Sequence, residues 1–255
     1  MSGFEQIELP DGRRGFRKLA DRVGKKALQA EAEGLAAMAA TGTVLTPEVL
    51  RVSDTELVTE WVGGGSGNRE GWARLGESLA AMHALPQPDF GFESDNYCGA
   101  TPQSNTPTAD GWEFFASERL MFQGRLARDA GLLTPGDMRL LESVVAQLRE
   151  LIPAQGPALL HGDLWRGNVV FDTNEQAYLI DPAVYRGWPE AELGMTLLFG
   201  GFAGAFYEAY ESTGALEAGW RERTPIYNLY HLLNHLNIFG GGYYSQVYAT
   251  LGRYA

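Results

Sequence analysis

An Asp two residues after a His, an Asn five residues beyond that Asp, and a second Asp thirteen further on stand in the stretch LLHGDLWRGNVVFDTNEQAYLIDPAVY, residues 159–185. These are Asp163, Asn168 and Asp181, with His161 leading the series. Moving a phosphoryl group from a nucleotide to a hydroxyl requires a carboxylate to orient and deprotonate the acceptor, and oxygen ligands for a divalent cation. Asp163 has the type and place of the general base. Asn168 and Asp181 have the types of the Mg2+ ligands. Each residue alone has a plainer explanation, since His161 and Asp163 can cap a turn and Asp181 precedes Pro182. Together, at this spacing and flanked by apolar runs, they favour the chemical reading.

The surrounding sequence can position them. Leu159-Leu160 ends an apolar run, HGDLWRGN has the Gly content of a loop, and Val169-Val170-Phe171 begins a strand. An Asp-Thr-Asn-Glu turn follows, and Ala177 to Ile180 form a second strand delivering Asp181 at its end. The spacing matches the His-x-Asp, Asn and metal-binding Asp set of kinase-like phosphotransferases.

Upstream, Phe4 to Leu9 and Gly15 to Leu19 read as strands joined by Pro-Asp-Gly. Lys25 to Ala40 reads as a helix, and Val49 to Val52 and Glu56 to Val62 as strands. Gly63-Gly64-Gly65-Ser66-Gly67 then reads as a flexible boundary. Beyond it the pattern is helical at Glu70 to Leu85, Trp112 to Ala130 and Pro135 to Leu151, with three more helical stretches after the hairpin. The expected organisation is a nucleotide-binding lobe over 1–62, a Gly-rich hinge over 63–69, and a helical catalytic and acceptor-binding lobe over 70–255. This is an α+β, kinase-like two-lobe fold with a small β-rich N-lobe and a large, mainly helical C-lobe. Lys18, on the same strand face as Phe16, has the place of a phosphate-binding lysine. On the following helix Glu31 is a better partner than Glu33, because Ala27, Leu28, Leu35 and Met38 share its broad face. Glu60 and Val62, beside the glycines, stand where hinge backbone would meet adenine. Only Met1-Ser2-Gly3 precede a strand that reads as the second of such a sheet, so its first strand and Gly-rich phosphate loop are expected to be lacking.

The net charge of −12 argues against a nucleic-acid partner. Residues 1–62 hold ten acids and eight bases, whereas 63–255 hold twenty-two and twelve. An acidic acceptor lobe suits a cationic substrate, and acid that merely keeps the protein dissolved explains it equally well. One cysteine, Cys98, excludes an internal disulfide and suits a reducing compartment. No N-terminal stretch has the basic start and apolar core of a signal peptide. The uncharged run 224–252 carries three Asn, two His and a Gly triplet, which fits a polar-lined core better than a membrane span. A cytoplasmic protein without membrane association is expected. No heptad or apolar stripe indicates an oligomeric state.

Several segments resemble the fructosamine kinases (ketosamine 3-kinases), relatives of the aminoglycoside phosphotransferases. They are FRK at 16–18, TGTVLTPEVL at 41–50, FGFESDNYCGATPQSN at 90–105, GWEFFASERL at 111–120, LLHGDLWRGN at 159–168, IDPAVY at 180–185, MTLLFGGF at 195–202 and LYHLLNHLNIFGGGY at 229–243. The resemblance implies transfer of the γ-phosphate of ATP, with Mg2+, to the 3-hydroxyl of a ketoamine on a glycated amine or glycated protein. The phosphorylated adduct then breaks down and restores the amine. It also implies that Asp163 is the base, Asn168 and Asp181 the metal ligands, Lys18 the phosphate lysine and Glu31 its partner, with Trp165 and His235 flanking the sugar. His235 is equally well a core histidine satisfied by Asn234 or a carbonyl. Asn96, Gln103 and Asn105 form a polar loop that either contacts the acceptor or fixes turns. Three departures stand out: the lacking Gly-rich loop, Pro189 where the family usually has Arg, and Glu192 where it has a structural Asp. An aminoglycoside- or choline-type kinase and a catalytically weak binding module are the alternatives.

Overall fold

The computed structural model describes residues 4–20, 24–214 and 216–255. The expectation about what precedes Phe4 lies outside the described residues. The elements run β1 (Phe4–Glu8), β2 (Arg14–Leu19), α1 (Lys25–Ala39), β3 (Val49–Val52), β4 (Glu56–Glu60), α2 (Arg69–His83), β5 (Asn96–Cys98) and β6 (Thr101–Gln103). Then come α3 (Gly111–Phe114), a π-helical stretch (Phe115–Met121), α4 (Phe122–Asp129), α5 (Pro135–Ala146), α6 (Leu148–Leu151), β7 (Ala158–Leu160), β8 (Val169–Phe171) and β9 (Ala177–Leu179). The chain continues with β10 (Tyr185–Gly187), α7 (Pro189–Leu198), α8 (Gly204–Ser212), α9 (Trp220–Phe239) and α10 (Tyr244–Tyr254). Among the described residues no helix is long and apolar enough to cross a membrane.

The chain groups into two compact units. The first takes Met1–Leu85, His161–Val184 and Phe199–Ala215, and the second takes Pro86–Leu160, Tyr185–Leu198 and Leu216–Ala255. This grouping differs from a linear division at 63–69. The reason is that the hairpin β8–β9, late in sequence, is hydrogen-bonded to early residues: Leu179 N–H donates to Leu45 O at 2.9 Å, and Gly65 N–H to Phe171 O at 3.0 Å.

In the first unit, β1 and β2 are antiparallel neighbours joined by the Pro10-Asp11-Gly12 turn, where Gly12 takes φ 81°. The sheet is antiparallel, in the order β1-β2-β4-β3. Phe16 lies opposite Thr59 and Lys18 opposite Leu57, so period-2 alternation places Phe16 and Lys18 on one face. Leu28 and Ala32 of α1 bury themselves against Leu57, which fixes the helix on the sheet. Asn68 caps α2, its Oδ1 accepting the Gly71 N–H at 2.8 Å.

The glycine run at 63–67 is clamped, which differs from its expected flexibility. A Cβ on Gly65 would lie 2.1 Å from the Asp172 carbonyl oxygen, and Gly64 and Gly67 take φ 99° and 75°. Glycine is therefore required here for close approach and positive φ. The clamp is Glu175: Oε1 accepts the Ser66 N–H and hydroxyl at 2.9 Å each, while Oε2 accepts Gly67 N–H at 2.8 Å and Asn68 N–H at 2.9 Å. The Ser66 N–H above all, with that of Asn68, draws the Glu175 carboxyl from an ordinary 4.5 down to about 2. A depressed carboxyl stabilises the fold above its unfolded pKa, and that contribution is lost as pH falls towards the folded value. Glu175→Gln should therefore lower the melting temperature at neutral pH, with the deficit shrinking between about pH 4.5 and about pH 2. Thermal melts of both proteins across that window check it, and a pH-independent deficit would contradict the clamp's ionic character.

The second unit is mainly helical. Its core gathers Phe114, Phe115 and Leu120 from the region around α3, Leu141 from α5, and Tyr227 and Leu233 from α9. Thr134 and Asp137 form a capping box that starts α5, with Pro135 in its first turn. Among the described residues four α-helices follow the hairpin, against three expected stretches, because Gly240 to Tyr243 break the last one into α9 and α10. Glu190 of α7 is fully buried and meets a guanidinium from α9: Arg223 Nη2 donates to Oε1 at 2.6 Å and Nε to Oε2 at 2.8 Å. Pro189 itself opens α7, where its missing N–H costs nothing. Glu192 is buried in the same helix.

Candidate active site

The loop between β7 and β8 is knotted by its own polar groups. Asn168 Nδ2 donates to the Asp163 carbonyl at 2.8 Å, and Trp165 N–H reaches that same oxygen at 3.2 Å. His161 is wholly buried; its Nδ1 accepts the Asp163 N–H at 3.2 Å and its Nε2 lies 2.8 Å from the Ile180 carbonyl. The Nε2–H tautomer satisfies both contacts, so His161 is a neutral brace tying the loop to the end of β9. Its part was not apparent from sequence, although its place two residues before Asp163 was a signal. Asp163 is half-buried.

The pairing Val169 with Leu179 sets Asn168 beside Ile180, whose N–H donates to the Asn168 carbonyl at 3.1 Å. Asp181 follows in a left-handed conformation, φ 54°. Because the Asn168 amide nitrogen faces Asp163, its amide oxygen is the atom left for a cation. An amide oxygen and a carboxylate are the hard donors that magnesium prefers, so this pair fits such an ion.

On the sheet side, Lys18 Nζ donates to Glu31 Oε2 at 2.5 Å and to Asp181 Oδ1 at 3.1 Å. One cation thus serves two carboxylates. Burial followed by the neighbouring Asp181 charge pushes Glu31 up to about 8, against the pull of Lys18. Burial would also raise Asp181, but Lys18 outweighs it and holds that carboxyl below its usual value. Burial draws Lys18 down, but the two carboxylates overcome it and raise the ammonium pKa.

These groups line a cavity of about 280 Å³. Its apolar wall includes Phe16, Leu57, Val170 and Ile180, and its rim includes Glu60, Trp61 and Val62. An apolar slot with a lysine and a candidate magnesium-binding carboxylate at one end suits a purine nucleotide. The Glu60 N–H is bonded to Glu48 O at 2.9 Å and the Trp61 N–H to Arg14 O at 3.2 Å. What this backbone can offer a base edge is therefore the Glu60 carbonyl and the Val62 N–H.

Trp165 stands 40% exposed, its edge towards Phe199 at 6.5 Å between ring centroids. A Cβ on Gly167 would fall 2.3 Å from the indole, so Gly167 permits the ring to fold over the loop. In the second unit, His235 donates from Nδ1 to the His231 carbonyl at 2.8 Å and packs on Phe239 and Tyr243 at 5.4 and 5.1 Å. Asn96 and Gln103 are buried on a hairpin, β5–β6, where a loop was expected. Gln103 Nε2 donates to Asn96 Oδ1 at 2.7 Å, and Tyr230 OH donates to Gln103 Oε1 at 2.5 Å. Asn105 joins them and receives the fully buried Arg119 guanidinium at 2.7 Å, which itself lies 3.9 Å from the Tyr185 ring centroid. This network holds the segment together.

The match to known proteins covers the whole site. The family model for fructosamine kinase matches residues 6–254. The chain belongs to the fructosamine kinase family. Among its curated relatives, this fructosamine kinase family member is 44% identical over 250 residues to a Synechocystis protein named "Probable ketoamine kinase", covering 95% of this chain and 84% of that one. It is 37% identical over 253 residues to the chloroplastic protein-ribulosamine 3-kinase of Arabidopsis thaliana, covering 94% and 75%. A crystal structure from Thermobifida fusca, assigned as a fructosamine-3-kinase, superposes with TM-score 0.89 at 36% identity, covering 98% of this chain and 88% of that one. Looser likeness to a gentamicin-bound aminoglycoside phosphotransferase, TM-score 0.61 at 13% identity, shows that this fructosamine kinase relative shares the kinase-like fold.

Proposed function

We infer that the protein is an ATP-dependent kinase that phosphorylates the 3-hydroxyl of fructosamine- or ribulosamine-type ketoamines on amines or protein lysines, promoting deglycation. The observation that carries this reading is the Lys18–Glu31–Asp181 cluster at one end of an apolar cavity, in a chain matched along its length to ketoamine kinases.

Adenine would enter between Phe16, Leu57, Val170 and Ile180, hydrogen-bonding the Glu60 carbonyl and the Val62 N–H. Lys18, oriented by Glu31, would neutralise phosphate charge. Asn168 and Asp181 would hold Mg2+, which when bound shields the phosphate oxygens. Asp163 accepts the proton of the sugar 3-hydroxyl as its oxygen bonds to the γ-phosphorus and the bond to the bridging oxygen breaks, releasing ADP. Trp165 would give the ketoamine a flat surface, and His235 a hydrogen bond through its imidazole. Asn96 and Gln103, turned upon each other, would support the acceptor side by holding the β5–β6 hairpin.

The test is ATP consumption by purified protein with magnesium and a ribulose-lysine acceptor, with kanamycin and choline as comparison acceptors. Turnover confined to the ketoamine is expected. Turnover on kanamycin or choline alone, or on none of the three, would overturn the assignment.

A further inference from the structure

The two sides of the nucleotide cavity are joined beyond its rim by the hydrogen bond from the Gly65 N–H to the Phe171 carbonyl and by one half-buried carboxylate. Trp61 and Val62 belong to the hinge side, and Val170, Ile180 and Asp181 to the hairpin side. From the hairpin turn, Glu175 reaches back to residues 66–68 with four hydrogen bonds of 2.8–2.9 Å. It does so from a left-handed conformation, φ 58°, that non-glycine residues seldom adopt. Three consecutive backbone N–H groups converge on it, the last belonging to the N-cap of the fifteen-residue α2, whose positive end favours an anion. Arg74 of α2 holds the same turn, donating to the Glu175 carbonyl at 2.6 Å. These donors also draw the carboxyl pKa down.

We propose that Glu175 is a positioning residue for the nucleotide, fixing the spacing between the hinge backbone and the hairpin that carries Asp181. The proposal rests on reading the cavity as the ATP site. Beyond the hydrogen bond of Gly65 to Phe171, the strap of residues 66–68 without the carboxylate would sample more conformations, and binding would have to order it at a cost in affinity. The carboxylate has two oxygens, one for Ser66 and one for Gly67 and Asn68. An amide has one acceptor, so Glu175→Gln must release one side of the strap.

Three measurements on wild type and Glu175→Gln decide it: calorimetric MgATP affinity, amide hydrogen exchange at Ser66–Asn68, and steady-state kinetics. Exchange at those amides should accelerate, and the Kd and KM for MgATP should rise about three- to tenfold, within the ~1.4 kcal/mol that a tenfold change represents. kcat and the acceptor KM should change less than about twofold, since uniform binding alone is lost. Glu175→Gly, which removes the backbone strain and empties the carboxylate position, should recover MgATP affinity when acetate is added. Faster exchange with unchanged MgATP affinity would make the clamp purely structural and overturn the proposal, as would a variant indistinguishable from wild type. A wild-type protein that binds no MgATP would overturn the kinase reading, and this inference with it.

Discussion

Asp163→Asn should abolish measurable phosphoryl transfer, lowering kcat by about 10²–10⁴-fold, while MgATP binding stays close to wild type. The separation follows from how the loop is held. The contacts that knot it use the Asp163 backbone: its N–H to His161 Nδ1, and its carbonyl to Asn168 Nδ2 and Trp165 N–H. Asparagine has the shape of aspartate, so the replacement removes the proton acceptor while leaving these backbone contacts in place. Asp181→Ala should behave oppositely, weakening magnesium-dependent ATP binding, because it removes a hard oxygen donor and one of the two carboxylates on Lys18. Turnover assays alongside calorimetric MgATP titrations distinguish the two. Equal loss of binding in both variants would undo the division of roles.

Arg223→Met should destabilise the protein by about 3–5 kcal/mol, the cost of stranding a buried carboxylate. Glu190 is fully buried and receives two guanidinium contacts of 2.6 and 2.8 Å. Without Arg223, Glu190 is left with the hydrogen bond from the Tyr227 hydroxyl at 3.1 Å. That hydroxyl is itself reluctant to ionise, since burial and then the Glu190 charge raise its pKa far above that of an exposed tyrosine. The double variant Glu190→Gln/Arg223→Met removes charge and partner together and should recover most of the loss. Urea or thermal denaturation of the set checks this. A double variant no more stable than Arg223→Met would place the effect in lost packing instead.

Much of this architecture is written locally, and those parts were legible. The Pro10-Asp11-Gly12 turn, the alternation that puts Lys18 beside Phe16, and the turn at Asp172–Glu175 depend on neighbours in sequence. The choice of Glu31 over Glu33 needed only the helical face. The features that escaped notice depend on distant partners. Gly63 to Gly67 look like a flexible linker until Glu175, more than a hundred residues away, is placed upon them. β10 is three residues, Tyr-Arg-Gly, and becomes a strand only because β7 pairs with it. β5 and β6 hide in a stretch rich in Asn, Gly and Pro, where a Gly99-Ala100 turn brings Asn96 opposite Gln103. The π-helical stretch at Phe115–Met121 adds a residue per turn within a pattern that reads as an ordinary helix. Cys98 is buried, with Asn234 Nδ2 3.2 Å from its sulfur.

The first unit is drawn from three separated stretches of chain, and this governs when it can form. Lys18 and Asp181 touch across 163 positions, and the strap at 66–68 meets its clamp across more than a hundred. Contacts so remote in sequence impose loop-closure entropy before they return any stability, and they slow folding. On the ribosome, β1 to α2 emerge well before the hairpin against which they close. The nascent sheet must therefore wait with its cavity face open to solvent. Lys18, on that face, keeps the waiting surface partly polar until residues 161–184 arrive. The candidate site is thus among the late-assembling parts of this protein, and it is where synthesis errors and misfolding would first be felt.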